Sequence, residues 1–347
     1  MPVLPAILNA IGTAVPDHDI HASFLDWAEA RLDGRTRAVF ARMAARAGIR
    51  HRWSVLPAGA LGGGFYAPER FPSTAARMAL YAEAAPDLAM AAIGRLAEQV
   101  PLDGITHLVV ASCTGFVAPG IDQIVAARLG LSPGVERTLV GYMGCYAAIA
   151  ALRLAYHIAR SEPGARVLVV TVELSTLHLQ DETRLEPLLA MLQFGDGAAA
   201  ALVTGDGAGL ALERPFSVAL PDSEALIRWT IGDQGFAMHL SGEVPGRIAT
   251  ALGDPALAAT LLDGAPTAWA VHAGGRSILD AVEGALGLPP DALADSRAVL
   301  DSFGNMSSAT LMFVLARQLA RGVDGAGVAL AFGPGLAAEG IRFRRTA

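Results

Sequence analysis

Short apolar runs of strand length alternate with helical patterns along this chain, and that alternation restricts the possible folds more than any other feature. The segments "THLVVASC" (106–113) and "ARVLVVTVE" (165–173) are too short for helices and too continuously apolar for edge strands. In segment 147–160, apolar residues instead recur at helical spacing. The pattern predicts an α/β protein with a buried sheet.

The same kinds of element return in the second part of the chain. The segment "AWAVHAGG" (268–275) predicts a strand that enters a glycine turn. The segment "NMSSATLMFVLARQLA" (305–320) predicts a helix, and the serines near its start are good N-terminal caps. We therefore expect two similar α/β halves, residues 1–210 and 211–347, packed together with a functional site between them.

Composition and charge argue against several classes of protein. The formal net charge of −7 argues against a nucleic-acid partner, whose binding surface would be basic. The two cysteines, Cys113 and Cys145, allow neither a disulfide framework nor a four-ligand zinc site. The chain has no Lys or Arg before Arg31, unlike a secretory signal, and no apolar stretch of the roughly 20 residues that span a membrane. We expect a cytoplasmic protein without a membrane span.

Three polar residues stand at the ends of predicted elements. Cys145 lies in the first turn of an apolar helix, where a helix dipole stabilises a thiolate, although it could also be a small packed residue. His272 follows an apolar strand, and Asn305 precedes a helix that it could simply cap. A cysteine, a histidine and an amide donor can together perform acyl transfer. Cysteine proteases use the same trio in the same order, so the order alone does not identify the reaction.

The segments around these residues resemble the signature blocks of type III polyketide synthases, the chalcone-synthase-like family. The matching blocks are "MGCYAAIAALRLA", "FGDGAAAALV", "VHAGGRSILDAVE", "GNMSSATLMFVL" and "FGPG". The resemblance runs from "AIGTAVP" near the start to "FGPGLAAEGI" near the end, and "GNMSSAT" and "FGPG" distinguish this family from thiolases and ketoacyl-ACP synthases. It implies a thiolase-like fold with two pseudo-duplicated halves in a layered αβαβα arrangement, a homodimer, and no metal or organic cofactor.

The resemblance also implies roles for the three polar residues. Cys145 matches the nucleophile that carries the acyl chain. His272 matches the histidine that keeps this cysteine as a thiolate and helps to bind the malonyl thioester carbonyl. Asn305 matches the asparagine that, with the histidine, stabilises the enolate formed on decarboxylation. Preorganised donors of this kind each contribute about 3–4 kcal/mol to the transition state.

Five residues match positions that shape the family's cavity. Phe194 matches one of two gating phenylalanines, whereas Met238 occupies the position of the second. Cys113, next to Thr114, stands where plant chalcone synthases carry a threonine, and is expected to form part of the pocket wall. Ala118 stands where a longer side chain would reach into the partner subunit's cavity. These departures predict a roomy pocket that does not favour an aromatic starter.

Coenzyme A carries phosphates, so its binding site needs cations. Arg42 and Arg46 match two of the family's basic CoA contacts, while Val39 occupies the position of the third. Arg276 lies close to His272 in sequence and is a possible replacement. The alternative for these arginines is a solvated helix face.

The resemblance therefore predicts an acyltransferase that loads an acyl-CoA starter on Cys145 and extends it by repeated decarboxylative condensation with malonyl-CoA. Cyclisation would give a pyrone, a resorcinol or a related phenolic, and the first expectation for the starter is a fatty acyl-CoA. Alternatives are a malonyl-only synthase of the phloroglucinol or tetrahydroxynaphthalene type, and an initiation ketoacyl-ACP synthase. A cysteine-protease-type hydrolase would leave "GNMSSAT" and "FGPG" without a role. An inactive acyl-binding protein would not need all three catalytic residues.

Overall fold

The computed structural model describes residues 4–346, in which eleven α-helices surround and divide a nine-stranded mixed sheet. The strands are β1 (Ile7–Ala14), β2 (His18–Asp19), β3 (Trp53–Ser54), β4 (His107–Ser112), β5 (Glu136–Gly141), β6 (Arg166–Leu174), β7 (Asp196–Thr204), β8 (Leu210–Ala219), β9 (Ile227–Gly232), β10 (Gly235–Leu240), β11 (Ala268–Val271), β12 (Ala326–Gly333) and β13 (Ala337–Arg345). The helices are α1 (His21–Glu29), α2 (Gly34–Ala45), α3 (Thr74–Ala97), α4 (Ile121–Arg128), α5 (Ala147–Ser161), α6 (Leu185–Met191), α7 (Val244–Leu252), α8 (Pro255–Leu262), α9 (Arg276–Leu286), α10 (Ala294–Phe303) and α11 (Ser308–Arg321).

The sheet contains the same strand arrangement twice. Its order is β11-β12-β13-β8-β1-β7-β6-β4-β5. In the first half, the pairs β1–β7 and β7–β6 are antiparallel and the pair β6–β4 is parallel. In the second half, the pairs β8–β13 and β13–β12 are likewise antiparallel and the pair β12–β11 is parallel. A short antiparallel contact between β1 and β8 joins the two series. The predicted duplication is confirmed, and β5 is an additional edge strand of the first half.

Helices α5 and α11 form a central layer between the two halves of the sheet. Both helices pack against each other and against strands of both halves. Their side chains belong to one buried cluster with residues from β4, β6, β11 and β12. Helices α3 and α4 cover the outer face of the first half, and α7, α9 and α10 cover that of the second. The result is the layered αβαβα arrangement that the family resemblance implies.

This layering explains why the central strands are apolar on both faces. In β6, Val167 and Val169 point toward the central helices, whereas Leu168 and Val170 point toward the outer helix layer. Because side chains alternate along a strand, a sheet covered on both sides needs apolar residues at every position. Helix α5 meets packed neighbours on several sides, which suits its many small apolar residues.

Within residues 4–346, no helix combines the length and apolar character that would let it cross a bilayer.

Candidate active site

Cys145 lies in a 3₁₀ turn, Gly144–Tyr146, that connects the end of β5 to α5. Gly144 has a φ of +74°, and a Cβ atom there would lie 2.5 Å from Cδ of Pro334. The "FGPG" turn of the second half therefore packs directly on the cysteine turn of the first half, and only glycine fits at this contact. The nucleophile candidate is positioned by both halves.

The start of α11 brings amide and hydroxyl groups to Cys145. The Asn305 Oδ1 atom accepts a hydrogen bond of 2.8 Å from the Ser307 N–H, and its Nδ2 atom donates one of 3.2 Å to the Gly274 carbonyl. Burial raises the pKa of the Cys145 thiol to about 11, although hydrogen bonds from Ser307 and Asn305 act in the opposite direction. The expectation that the start of a helix leaves this thiol with a lowered pKa is therefore wrong for the free protein, because desolvation outweighs the local donors.

His272 follows β11 and is held there by a hydrogen bond of 2.8 Å from its N–H to the Leu330 carbonyl. Its ring is buried, and within the described residues neither ring nitrogen has a hydrogen-bond partner. Burial lowers the pKa of His272 to about 3, so the imidazole is neutral near pH 7. Gly274 lies against the ring and accepts the hydrogen bond from Asn305, which links the two residues. A buried imidazole with unused polar atoms is suited to bind a substrate oxygen.

A cavity of about 310 Å³ opens at Cys145. Cys113, Thr114, Phe194 and Met238 also line it. Much of the remaining wall is apolar and includes Phe24, Leu61, Tyr66, Leu179, Met191 and Trp229. Its volume is at the lower end of the range for small-molecule sites, and its wall suits an acyl chain.

Two family models match successive parts of the chain. The N-terminal domain of chalcone and stilbene synthases matches residues 4–207, and the C-terminal domain of chalcone and stilbene synthases matches residues 211–346. The chain belongs to the chalcone and stilbene synthase family. It is a type III polyketide synthase and an acyltransferase that catalyses condensation, as predicted from the motifs.

Solved structures of this family are similar over the whole chain. PKS-I from the brown alga Ectocarpus siliculosus is 28% identical, with a TM-score of 0.90, and the match covers 100% of both chains. The C-terminal type III polyketide synthase domain of Steely1, a type I/III hybrid from Dictyostelium, is 27% identical with a TM-score of 0.88. That match covers 99% of this chain and 100% of the other. The thiolase-like fold implied by the motifs is thereby confirmed.

The synthase has a buried carboxylate beside the cavity that the sequence analysis missed. Glu173, in β6, accepts hydrogen bonds from the Cys113 N–H at 3.0 Å, the Thr114 hydroxyl at 2.8 Å and the Ser308 hydroxyl. The Cys113 thiol lies 3.3 Å from Glu173 Oε1 and 3.2 Å from Ser307 Oγ. Burial and this carboxylate raise the pKa of Cys113 well above its usual value, so it stays a thiol. A charged residue near the end of an apolar strand was the available signal.

Arg52 is a second missed residue of the synthase cavity. It is 1% exposed, lines the cavity and donates to the Met191 carbonyl at 3.1 Å and the Phe194 carbonyl at 2.8 Å. Its Nε donates to His21 Nδ1, whereas Nη2 has no partner within residues 4–346. Burial lowers the pKa of Arg52 to about 9. No local pattern in "RHRW" indicates that Arg52 is internal while Arg50 and His51 are exposed.

The three arginines compared with CoA contacts lie outside the cavity wall. Arg42, in the last turn of α2, and Arg46, at its C-terminal cap, are exposed. Arg276 begins α9 and donates to the Arg46 carbonyl at 3.4 Å, so two of the three meet at the surface. Arg276 also lies 3.6 Å from Asp280. Ala118 is exposed on the loop before α4 and does not line the cavity.

Proposed function

We propose that this synthase carries its acyl starter on Cys145 and extends it with malonyl-CoA in the cavity beside that residue. The observation that carries the proposal is the largely apolar cavity that begins at the Cys145 thiol. Membership of a family that uses CoA thioesters supports the choice of substrates. The remaining steps rest on the roles that the family resemblance implies for Cys145, His272 and Asn305.

Loading begins with proton transfer from Cys145 to His272. Burial disfavours a single charge on either group, but a thiolate and an imidazolium formed together stabilise each other. The thiolate attacks the starter thioester carbonyl, the bond to CoA sulfur breaks, and CoA leaves with a proton. The acyl group is then held on Sγ, and its tail extends along the apolar wall.

Extension begins with loss of CO₂ from malonyl-CoA. The C–C bond to the carboxylate breaks, and its electron pair forms an enolate whose oxygen accepts hydrogen bonds from His272 and Asn305. One N–H of the Asn305 amide donates a hydrogen bond to the Gly274 carbonyl, which fixes the orientation of the amide. The second N–H is then available to the enolate oxygen. The enolate carbon attacks the acyl carbonyl, the C–S bond breaks, and Cys145 leaves as thiolate. A lengthened β-ketoacyl-CoA results and can be loaded again.

The starter that the wall favours is a fatty acyl-CoA. Met238 replaces the second gating aromatic residue expected from the family, and Phe24, Leu61 and Leu179 continue the apolar surface. A flexible methionine adapts to an alkyl chain better than a fixed ring does. Release by cyclisation would then give an alkylated pyrone or resorcinol.

Arg52 favours a second candidate, a synthase that uses malonyl units alone. Its unpartnered Nη2 is a buried donor at the cavity wall, where it could bind a carboxylate or ketone oxygen. A chain built from malonyl units presents such oxygens along its whole length, whereas an alkyl tail presents none. The product would be of the phloroglucinol or tetrahydroxynaphthalene type.

Arg42, Arg46 and Arg276 are proposed to bind the CoA phosphates. Support comes from their exposure and from the contact between Arg46 and Arg276, which concentrates positive charge outside the cavity.

The family also supports a homodimer, and β5 is an exposed edge strand with Leu139 49% exposed. Phe116 and Tyr142, which are 50% and 46% exposed, lie 6.3 Å apart beside it.

A product survey by mass spectrometry tests these proposals. The purified protein is given malonyl-CoA alone or with starters from acetyl-CoA to palmitoyl-CoA and with coumaroyl-CoA, and Cys145→Ala is the control. We expect alkylated pyrones or resorcinols that disappear in the variant. Products from malonyl-CoA alone would favour the second candidate. Extension only with malonyl-ACP would contradict both and indicate an initiation ketoacyl-ACP synthase.

A further inference from the structure

His107 is a buried histidine at the opposite end of β4 from the cavity. Its side chain is 6% exposed, and its Nδ1 lies 2.8 Å from the Thr106 hydroxyl. That hydroxyl accepts a hydrogen bond of 2.9 Å from the Arg166 N–H. The Nε2 atom of His107 has no hydrogen-bond partner among the residues that the structure describes. An unused nitrogen on a buried ring needs an explanation.

Two carboxylates from different elements face this nitrogen. Glu162 Oε2 lies 3.5 Å from His107 Nε2, and Glu136 Oε2 lies 3.7 Å from it. Glu136 is the direct neighbour of His107 in the parallel pairing of β4 and β5, which places both side chains on one face of the sheet. Helix α5 runs back over that face, and Glu162 directly follows its last residue.

The spacing of these atoms fits a metal ion. The three potential ligand atoms all lie within 4.8 Å of one another. Ligands about 2.0–2.2 Å from a tetrahedral ion are about 3.3–3.6 Å apart, close to both His107 separations. The hydroxyl of Thr106 can fix the ring tautomer with the proton on Nδ1 and the lone pair on Nε2, as outer-shell partners of metal-bound histidines do.

We propose that His107, Glu136 and Glu162 bind a divalent first-row metal ion, such as Zn²⁺, with water completing the coordination. One nitrogen and two carboxylate oxygens suit such an ion, and two negative charges balance it. The ion links the C-terminal end of α5 to the N-terminal ends of β4 and β5. Since α5 rises about 1.5 Å per residue, the site lies roughly 25 Å from Cys145 and is structural. The sequence analysis considered zinc sites built on cysteine and therefore missed it.

Zinc titration tests the site directly. The full chain, free of any affinity tag, carries Cys145→Ala so that zinc on the nucleophilic thiol is not counted, and it is first dialysed against a chelator. Titration with ZnCl₂ is followed by calorimetry, and thermal unfolding is measured with and without zinc. We expect one zinc ion per chain and a higher unfolding midpoint in zinc. We expect Glu162→Gln and Glu136→Gln each to weaken binding at least tenfold.

The matched control is Glu98→Gln. Glu98 is also an exposed glutamate after a helix, but its side chain pairs only with Arg95 among the described residues. The Glu98→Gln variant should bind zinc as tightly as the Cys145→Ala parent protein does and show the same zinc-dependent rise in the unfolding midpoint. Absence of stoichiometric zinc binding, or equal binding by Glu162→Gln and Glu98→Gln, would overturn the proposal. His107→Asn is a further variant, and the two exposed glutamates decide the question if it does not fold.

Discussion

The individual side chains around Cys145 are mostly neutral groups in a dry environment. Desolvation favours the neutral imidazole of His272 and the protonated thiol of Cys145 in the free protein. Such groups bind a developing negative charge strongly because little water competes with them. The same environment favours loss of a malonyl carboxylate as uncharged CO₂.

Replacing Asn305 with alanine tests the proposed enolate site. We expect decarboxylation and extension to fall about 10²–10³-fold, because one oriented donor to the enolate oxygen is lost. Starter loading on Cys145 should persist, because the nucleophile and His272 remain. Release of CO₂ from malonyl-CoA and the mass of the acylated protein separate the two steps. Asn9→Ala is the control, since Asn9 contacts carbonyls at 206 and 208 instead. Equal loss of loading and extension would contradict the assignment.

Replacing Arg52 with methionine tests its role in positioning Phe194. The variant loses the donors to the Met191 and Phe194 carbonyls. The Phe194 carbonyl is then left unpaired, whereas the Met191 carbonyl still accepts a hydrogen bond of 3.4 Å from the Phe194 N–H. An unpaired buried carbonyl costs about 1–3 kcal/mol. We expect the free energy of unfolding in urea to fall by at least that amount and the product distribution to change.

The control for Arg52 is Arg50→Met. Arg50 is exposed and pairs with Asp301, and such surface pairs contribute about 0–1 kcal/mol. Unchanged products in Arg52→Met, with a loss of stability no larger than that of Arg50→Met, would show that Arg52 does not position the cavity wall.

At the scale of elements, the cavity depends on the 3₁₀ turn Ala58–Ala60 as well as on the strands near Cys145. Ala60 lines the cavity and packs in a cluster with Phe24 and Tyr66, residues remote from Cys145 in sequence. This part of the wall is composed of side chains from α1 and from the loop before α3. We therefore expect substitutions in this part of the wall to change the length of the acyl chain that the cavity accepts without altering Cys145.

Enlarging Ala60 tests whether this region holds the starter tail. We expect Ala60→Leu to shift the preference toward shorter acyl-CoA starters by several carbons, because the larger side chain occupies cavity space. Competition between octanoyl- and palmitoyl-CoA, read by mass spectrometry, measures the shift. Ala58→Leu, in the same turn but outside the cavity wall, should leave the preference unchanged. An unaltered preference in Ala60→Leu would place the tail elsewhere.

The sequence predicted the helices and strands better than it predicted the tertiary contacts between them. Apolar strands and the helix after Cys145 are local patterns, so they were recognisable, and so were the polar residues at their ends. Glu173 and Arg52 were missed because their burial depends on contacts with residues far away in sequence. For the same reason the thiol of Cys145 was expected to be acidic, since desolvation is a property of the packed molecule. Family resemblance supplied the roles that local patterns left open.

At the scale of the whole molecule, three histidines with lowered pKa values make stability depend on pH. The unfolded chain protonates histidine at about pH 6.5, whereas folded His21 and His178 protonate only near pH 4 and His272 near pH 3. Below pH 6.5 the unfolded state therefore binds more protons, and stability falls. Asp196 opposes this effect, because burial raises its pKa to about 6 and the folded state takes up that proton first.

We expect the three histidines to outweigh Asp196, so that stability in urea falls between pH 7 and pH 4.5. His178→Gln, which removes one titrating group, should make the decline less steep. His157→Gln is the control, because His157 is an exposed histidine on α5. A slope that is the same in both variants would mean that His178 is not part of the cause.

Changing the exposed edge tests the proposed homodimer. We expect Leu139→Arg to separate the subunits, because it places a charge where an exposed apolar side chain of the edge strand β5 would be buried in the interface. Light scattering distinguishes a mass near 35.8 kDa from twice that value. Ile231→Arg is the control, since Ile231 is also about half exposed but lies on β9. A dimer that persists in Leu139→Arg would move the interface elsewhere.

The contact between the cysteine turn and the "FGPG" turn has a consequence for biosynthesis. Tyr146 donates a hydrogen bond of 3.4 Å to the Pro334 carbonyl, which comes from a residue 188 positions later in the chain. Domains generally fold as units while a ribosome adds about 5–20 residues per second. The nascent chain therefore exposes Cys145 for about 10 to 40 seconds before its packing partner has been translated. During that interval the thiol lacks its finished surroundings, so we expect the proposed acylation of Cys145 to begin only after the later half has docked.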